Sequence, residues 1–297
     1  MARVNSFFRR ILPRSWVTNI EENRARKELI IVAEHKKYLE KYVSFKKYPN
    51  EIDTLEYNAL PIWQLWLQGA DFAPPLVKNC FQSIAQYNPT RKIILLNENN
   101  LGEYIDLPDY IIDKYKKGII SRTHFSDIVR ICLLAEHGGT WIDSTVLMTD
   151  SMPEDIAKSD FFCFSSPPNS MYYHYHLISS WFIHAQPKHP FMLNIRDTLF
   201  DYWKQEEELI DYFLLHICFR NMVDHNAQMA AIWKTLYHLP NDLPHLLSHQ
   251  LKERFSEAKF DEIKAKSTIH KLTYKIKPKK LKAGSFFEML SREVRKP

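Results

Sequence analysis

The chain has 297 residues, of which 45% are hydrophobic and 25% charged, a profile that supplies a sizeable core and excludes a disordered polymer. No run of about 18 apolar residues occurs, which argues against a membrane-spanning helix. The net charge of +5 is small, and the tail lysines lack interleaved stacking aromatics, so nucleic acid is not an expected partner.

The first residues are basic (Arg3, Arg9, Arg10, Arg14), and Phe7, Phe8, Ile11 and Leu12 form too short and too charged an apolar stretch for a secretory signal. A cytoplasmic location is the expectation. The second basic cluster is Lys271, Lys275, Lys277, Lys279, Lys280 and Lys282. Such termini suit either an anionic membrane surface, as a peripheral contact at the inner membrane, or plain solvation.

Residues 20–48 read as a charged helix with apolar points at Ala25, Leu29, Val32, Ala33, Leu39 and Val43, stopped by Pro49 and Asn50. They form an N-terminal helical extension over 1–58, ahead of a main domain over 59–297. From Ile62 the pattern changes to a short apolar strand that ends near Gln68 and Gly69. Pro74 and Pro75 open a helix that stops near Asn88 and Pro89, and a second strand follows at 92–96. Strand, helix and strand at this spacing make a βαβ unit and a parallel sheet.

Phe125, Ile128, Val129, Cys132 and Leu133 repeat at i, i+3, i+4, i+7 and i+8, one apolar helix face. Gly138 is placed to end that helix in the left-handed conformation. Residues 140–148 then read as one strand, with Trp141, Asp143 and Thr145 on the same side. A polar, aromatic stretch at 165–173 precedes another strand over 177–185. Helices are predicted over 191–208, 210–233 and 243–255. The expected class is α/β, with a central, mostly parallel sheet and a helical C-terminal part.

Four separated cysteines (Cys80, Cys132, Cys163, Cys218) form no CxxC pair and read as reduced, buried thiols. His174 and His176 form a lone HxH without a visible third ligand, and His216 reads as a core histidine. With only six glycines in the chain, the adjacent pair Gly138 and Gly139 stands out. An isolated Asp143 more often caps a turn than carries chemistry. Its context points the other way: Asp127 and Arg130 lie one helical turn apart, and the double glycine leads the chain back toward the carboxylate.

The stretch from Ser126, Asp127 and Arg130 through Gly138, Gly139, Trp141 and Asp143 resembles the SD-x-x-R … GG-x-[YW]-x-D core of the capsular polysaccharide synthesis proteins. That group is similar to glycosyltransferase family 32. The similarity takes in Trp63 and Gln64, the stretch from Ser180 to Ile183, the trio Asp211, Tyr212 and Phe213, and a last landmark from Ile269 to Lys275. It implies a GT-A-like fold that binds a nucleotide sugar, UDP-linked by preference. It also implies retaining transfer onto a growing bacterial surface glycan, of capsule or lipopolysaccharide type and free or lipid-linked.

On this resemblance Asp143, Asp127, Arg130 and Asp211 take catalytic roles. Trp63 and Gln64 meet the nucleoside, and Asp127, Arg130, Gly138, Gly139, Trp141, Ile142 and Asp143 line the donor site. Lys271 and Lys275 are the implied phosphate contacts. A divalent metal, Mn²⁺ or Mg²⁺, would be held by Asp143, Thr145 and His270. Here Thr145 replaces the second Asp of the DxD motif, and a neutral hydroxyl is a weaker ligand for a hard cation. That replacement also motivates an alternative, a non-catalytic module that binds a nucleotide sugar or carbohydrate.

Overall fold

Apolar runs of four residues alternate with amphipathic helices through the first half of the chain, and this alternation sets the sheet. The computed structural model describes residues 14–49, 54–167, 173 and 175–292. Arg3, Arg9, Arg10 and His174 lie outside the described residues.

Helix α1 (Arg14–Leu39) begins before and ends before the predicted segment. The chain leaves it through a 3₁₀ turn (Glu40–Tyr42) and runs without regular structure to Tyr48. The early stop has a tertiary cause. Ser44 N–H donates to Thr198 Oγ1 (3.2 Å), while Asn226 and Gln228 donate to the carbonyls of Ser44 (3.1 Å) and Tyr48 (2.6 Å). Backbone groups satisfied in this way need no further helical turn.

Strand β1 (Ile62–Leu65), helix α2 (Pro75–Tyr87) and strand β2 (Ile93–Leu96) form the expected βαβ unit, and β1 and β2 are parallel with Ile62 opposite Ile93. Pro75 sits at the first helical position, where a missing N–H costs nothing. Helix α3 (Asp109–Lys116) precedes α4 (Arg122–His137), whose first turn is capped by Ser121 Oγ accepting from His124 N–H. The predicted apolar face of α4 is buried throughout. Strand β3 (Gly139–Ile142) returns parallel to β1.

The strand expected over 140–148 is in fact two. β3 stops at Ile142, residues 143–145 turn with Val146 N–H donating to Asp143 O (3.0 Å), and β4 (Val146–Met148) joins a second sheet. Alternating character continues across that turn, so periodicity alone does not reveal it. After the short helix α5 (Glu154–Ala157) come β5 (Phe161–Ser165) and β6 (Ile178–Ala185). The order β2-β1-β3-β6-β5, with β6 antiparallel to both its neighbours, leaves β6 as the one reversed strand of a mostly parallel central sheet.

The helical remainder is α6 (Pro190–Gln205), α7 (Leu214–His225), α8 (Ala227–Thr235), α9 (Leu246–Gln250), α10 (Glu257–Lys264) and α11 (Phe286–Leu290). The single helix expected over 210–233 is divided at Asn226, whose side chain caps α8 by accepting from Gln228 and Met229 N–H. Strand β7 (Ile269–Lys271) pairs antiparallel with β4.

One core joins Trp63, Leu65 and Trp141 to α4, α6 and α7, and a second gathers Ile62, Ile142, Val146, Phe162 and Phe182 on the other face of the sheet. All four cysteines are free and buried, and burial pushes the Cys80 thiol up to about 12. Among the described residues no helix is long and apolar enough to cross a membrane.

Candidate functional site

Gly138 and Gly139 fix where α4 hands over to β3. Their φ values are 63° and 103°, with Gly138 at ψ −158° rather than in the left-handed helical conformation expected. A Cβ on Gly138 would lie 2.5 Å from Pro187 N, and one on Gly139 would lie 2.4 Å from Pro61 O. The pair therefore exists for close backbone approach. It stands at the incoming end of β3, about 13 Å of extended chain before Asp143.

Three other expected donor contacts are buried. Trp63 is only 2% exposed and donates its Nε1–H to Gly138 O (2.8 Å), while its ring packs against Tyr104 and His137. Ile142 is fully buried in the second core. Gln64 is also buried, with its Nε2 unpartnered.

Asp143 emerges at the outgoing end of β3, its N–H donating to Trp181 O (2.9 Å). Carboxylate Oδ1 accepts from Trp141 Nε1 (2.8 Å) and Arg130 Nη2 (3.1 Å), and Oδ2 accepts from Lys271 Nζ (2.6 Å). The other arm of Arg130 donates to Asp127 Oδ1 (2.6 Å), and its guanidinium lies 4.8 Å from the Trp141 ring centre. Lys271 also donates to Thr145 Oγ1 (2.9 Å). The result is a continuous chain, Asp127–Arg130–Asp143–Lys271–Thr145, that joins α4, the 143–145 turn and β7.

Burial opposes ionisation of Asp143, but the Lys271 and Arg130 cations outweigh it and hold the carboxyl below the usual range. Burial likewise opposes Asp127, and Arg130, helped by His124, overcomes it. Both carboxylates are therefore charged at neutral pH.

The other expected ligands lie elsewhere. Alternation along β7 sends His270 to the face opposite Lys271, where it is fully buried against Thr149 Oγ1 (3.0 Å). Lys275 is exposed, its ammonium 5.8 Å from the Tyr274 ring. Asp211 accepts from His35 Nδ1 (2.8 Å) and Phe213 N–H (2.7 Å), tying α1 to the α6–α7 loop instead of joining Asp143. Burial lowers His216 to about 4, within the fields of Asp127, Arg130, Asp211 and His176. Among the described residues no group of three His, Cys, Asp or Glu side chains is arranged to hold a metal.

Trp181 entered the sequence reading only within the 180–183 landmark, with no role assigned; its carbonyl accepts from the Asp143 N–H, and its ring lies 6.0 Å from the Lys271 ammonium. Trp66 and Tyr274, likewise named only within stretches of the resemblance, meet ring to ring at 5.7 Å just beyond the outgoing end of β1. The resemblance covers these aromatics, but no local spacing links them to Asp143.

A family model described as capsular polysaccharide synthesis protein matches residues 13–290. Among solved structures, the chain is similar to the PaToxG glycosyltransferase, at 13% identity over 82% of this chain and 95% of that one, with a TM-score of 0.39. It is also similar to the apo-form glycosyltransferase GlyE of Streptococcus pneumoniae TIGR4, at 14% identity over 73% of this chain and 55% of that one, with a TM-score of 0.38. No curated protein matches the chain.

Proposed function

The chain belongs to the capsular polysaccharide synthesis protein family, and from that premise we propose that it is a glycosyltransferase. In this reading it moves a sugar from a nucleotide-sugar donor, UDP-linked by preference, to a growing bacterial surface glycan with retention at the anomeric carbon. Contact of the basic termini with a membrane carrying a lipid-linked acceptor belongs to the same proposal.

The observation that supports it best is the Asp143-centred ion chain. Departure of a nucleoside diphosphate leaves negative charge that fixed donors and cations must stabilise. Asp143 and Lys271 are partly open to solvent, on a turn and strand anchored to the sheet. Arg130 and Trp141 hold the carboxylate at Oδ1, and Asp127 holds Arg130 in turn. Asp143 thereby orients the Lys271 ammonium toward an incoming anion, and the buried pair behind it resists displacement.

The test is mass spectrometry of the purified protein with a panel of nucleotide sugars and acceptor glycans. Transfer or donor hydrolysis by the wild type, lost in Asp143→Ala, is the expected result. No turnover across the panel, or full activity in Asp143→Ala, overturns the proposal. Tight nucleotide-sugar binding without turnover would instead favour the non-catalytic module.

A further inference from the structure

The motif that Asp143 begins implies a divalent cation, and the residues around it do not fit one. A hard cation takes several oxygen ligands, carboxylates foremost. Here the single carboxylate already binds two cations, Arg130 and Lys271. The Thr145 hydroxyl accepts from Lys271, and His270 faces away. A divalent ion between Asp143 and Thr145 would have to expel the Lys271 ammonium and place its charge close to the Arg130 guanidinium.

We propose that the Lys271 ammonium occupies the place of that cation, and that the protein stabilises the diphosphate leaving group without a metal. The inference rests on the glycosyltransferase reading. The charge balance supports it: two carboxylates with a divalent ion sum to zero, and so do one carboxylate and one ammonium. Thr145, which carries no charge, and Lys271 beside Asp143 thus give the same local balance as two carboxylates around a divalent ion.

The geometry supports it as well. An ammonium has three N–H donors. Those of Lys271 meet two acceptors among the described residues, Asp143 Oδ2 at 2.6 Å and Thr145 Oγ1 at 2.9 Å, which leaves one for a phosphate oxygen. Lys271 is fixed at its base, because β7 pairs it with Val146 and Leu272 N–H donates to Thr145 O (2.9 Å). The 19% exposure of its side chain keeps it accessible to a ligand. In the transfer, the bond from the anomeric carbon to the diphosphate oxygen breaks with its electron pair on that oxygen. The acceptor oxygen forms the new bond to the carbon, and the acceptor's proton leaves with the diphosphate. Lys271 donates a hydrogen bond to the departing oxygens throughout.

The experiment measures donor turnover, and calorimetric binding of UDP and GDP, on the full chain in EDTA and in Mn²⁺. Wild type should differ by less than about twofold between the two conditions, while Lys271→Met should turn over about 10²-fold more slowly in both. The double variant Thr145→Asp/Lys271→Met rebuilds a two-carboxylate site and should recover about tenfold, in Mn²⁺ alone. Wild-type activity that is lost in EDTA and restored by Mn²⁺ overturns the inference and leaves the glycosyltransferase reading standing. Neither binding nor turnover in either condition overturns both.

Discussion

The ion chain has a closed half and an open half built from the same kind of contact. Asp127 and Arg130 meet at 2.6 Å on α4 with side chains 10% and 5% exposed, whereas Asp143 and Lys271 meet at 2.6 Å with side chains 25% and 19% exposed. The closed pair has lost most of its water, so breaking it strands a buried charge. The open pair keeps a solvent side and can exchange partners at little cost. Equal distances therefore suit unequal jobs in the proposed function: one half fixes the geometry, and the other meets the ligand.

Breaking the closed half should give the largest effect. Arg130→Met leaves Asp127 buried without its main cation, and a loss of about 3–5 kcal/mol is expected, read as a fall in Tm of roughly 10 °C. A change below about 2 °C would show that the closed half is not structural. Asp143→Asn, at the junction of the two halves, keeps an oxygen for Trp141 but drops the charge that both cations bind. Its turnover should fall about 10²–10³-fold. Retention of most activity would mean that the halves act independently.

Lys271→Met should separate stability from activity. Its Tm should stay within about 2 °C of wild type, because a partly exposed pair contributes about 1 kcal/mol or less. A fall as large as that of Arg130→Met would make the open half structural too. Trp141→Phe is the mildest change. It keeps a ring under Arg130 and removes one hydrogen bond to Asp143, worth about 1 kcal/mol, so a loss of about fivefold in turnover is expected. Full activity would leave Arg130 and Lys271 as sufficient restraint.

The closed half was legible in the sequence and the open half only in part. Asp127 and Arg130 announce themselves by helical spacing, and the apolar face of α4 places them on one helix. Lys271 stands 128 residues from Asp143 on a strand of only three residues, where no period can register. It entered as one of three basic candidates, and strand alternation and exposure separated it from His270 and Lys275. The βαβ start was readable because four-residue apolar runs have few alternatives between Pro-rich breaks. The end of α1 at Leu39 was not readable, since its cause lies in Thr198, Asn226 and Gln228, far along the chain.

The last turns of α1 and the segment after it have a consequence for handling the protein. His35 contacts Asp211 (2.8 Å), Lys36 contacts Asp224 (2.8 Å) and Lys46 contacts Asp197 (2.8 Å), while Tyr38, Lys41 and Tyr42 gather on Glu206. Leu39, Tyr42 and Val43 are buried beneath them. A shortened chain beginning at residue 59 would therefore uncover an apolar strip bordered by four acidic groups that have each lost these N-terminal partners. Such a surface favours self-association, so the truncated chain is expected to precipitate before any turnover can be measured.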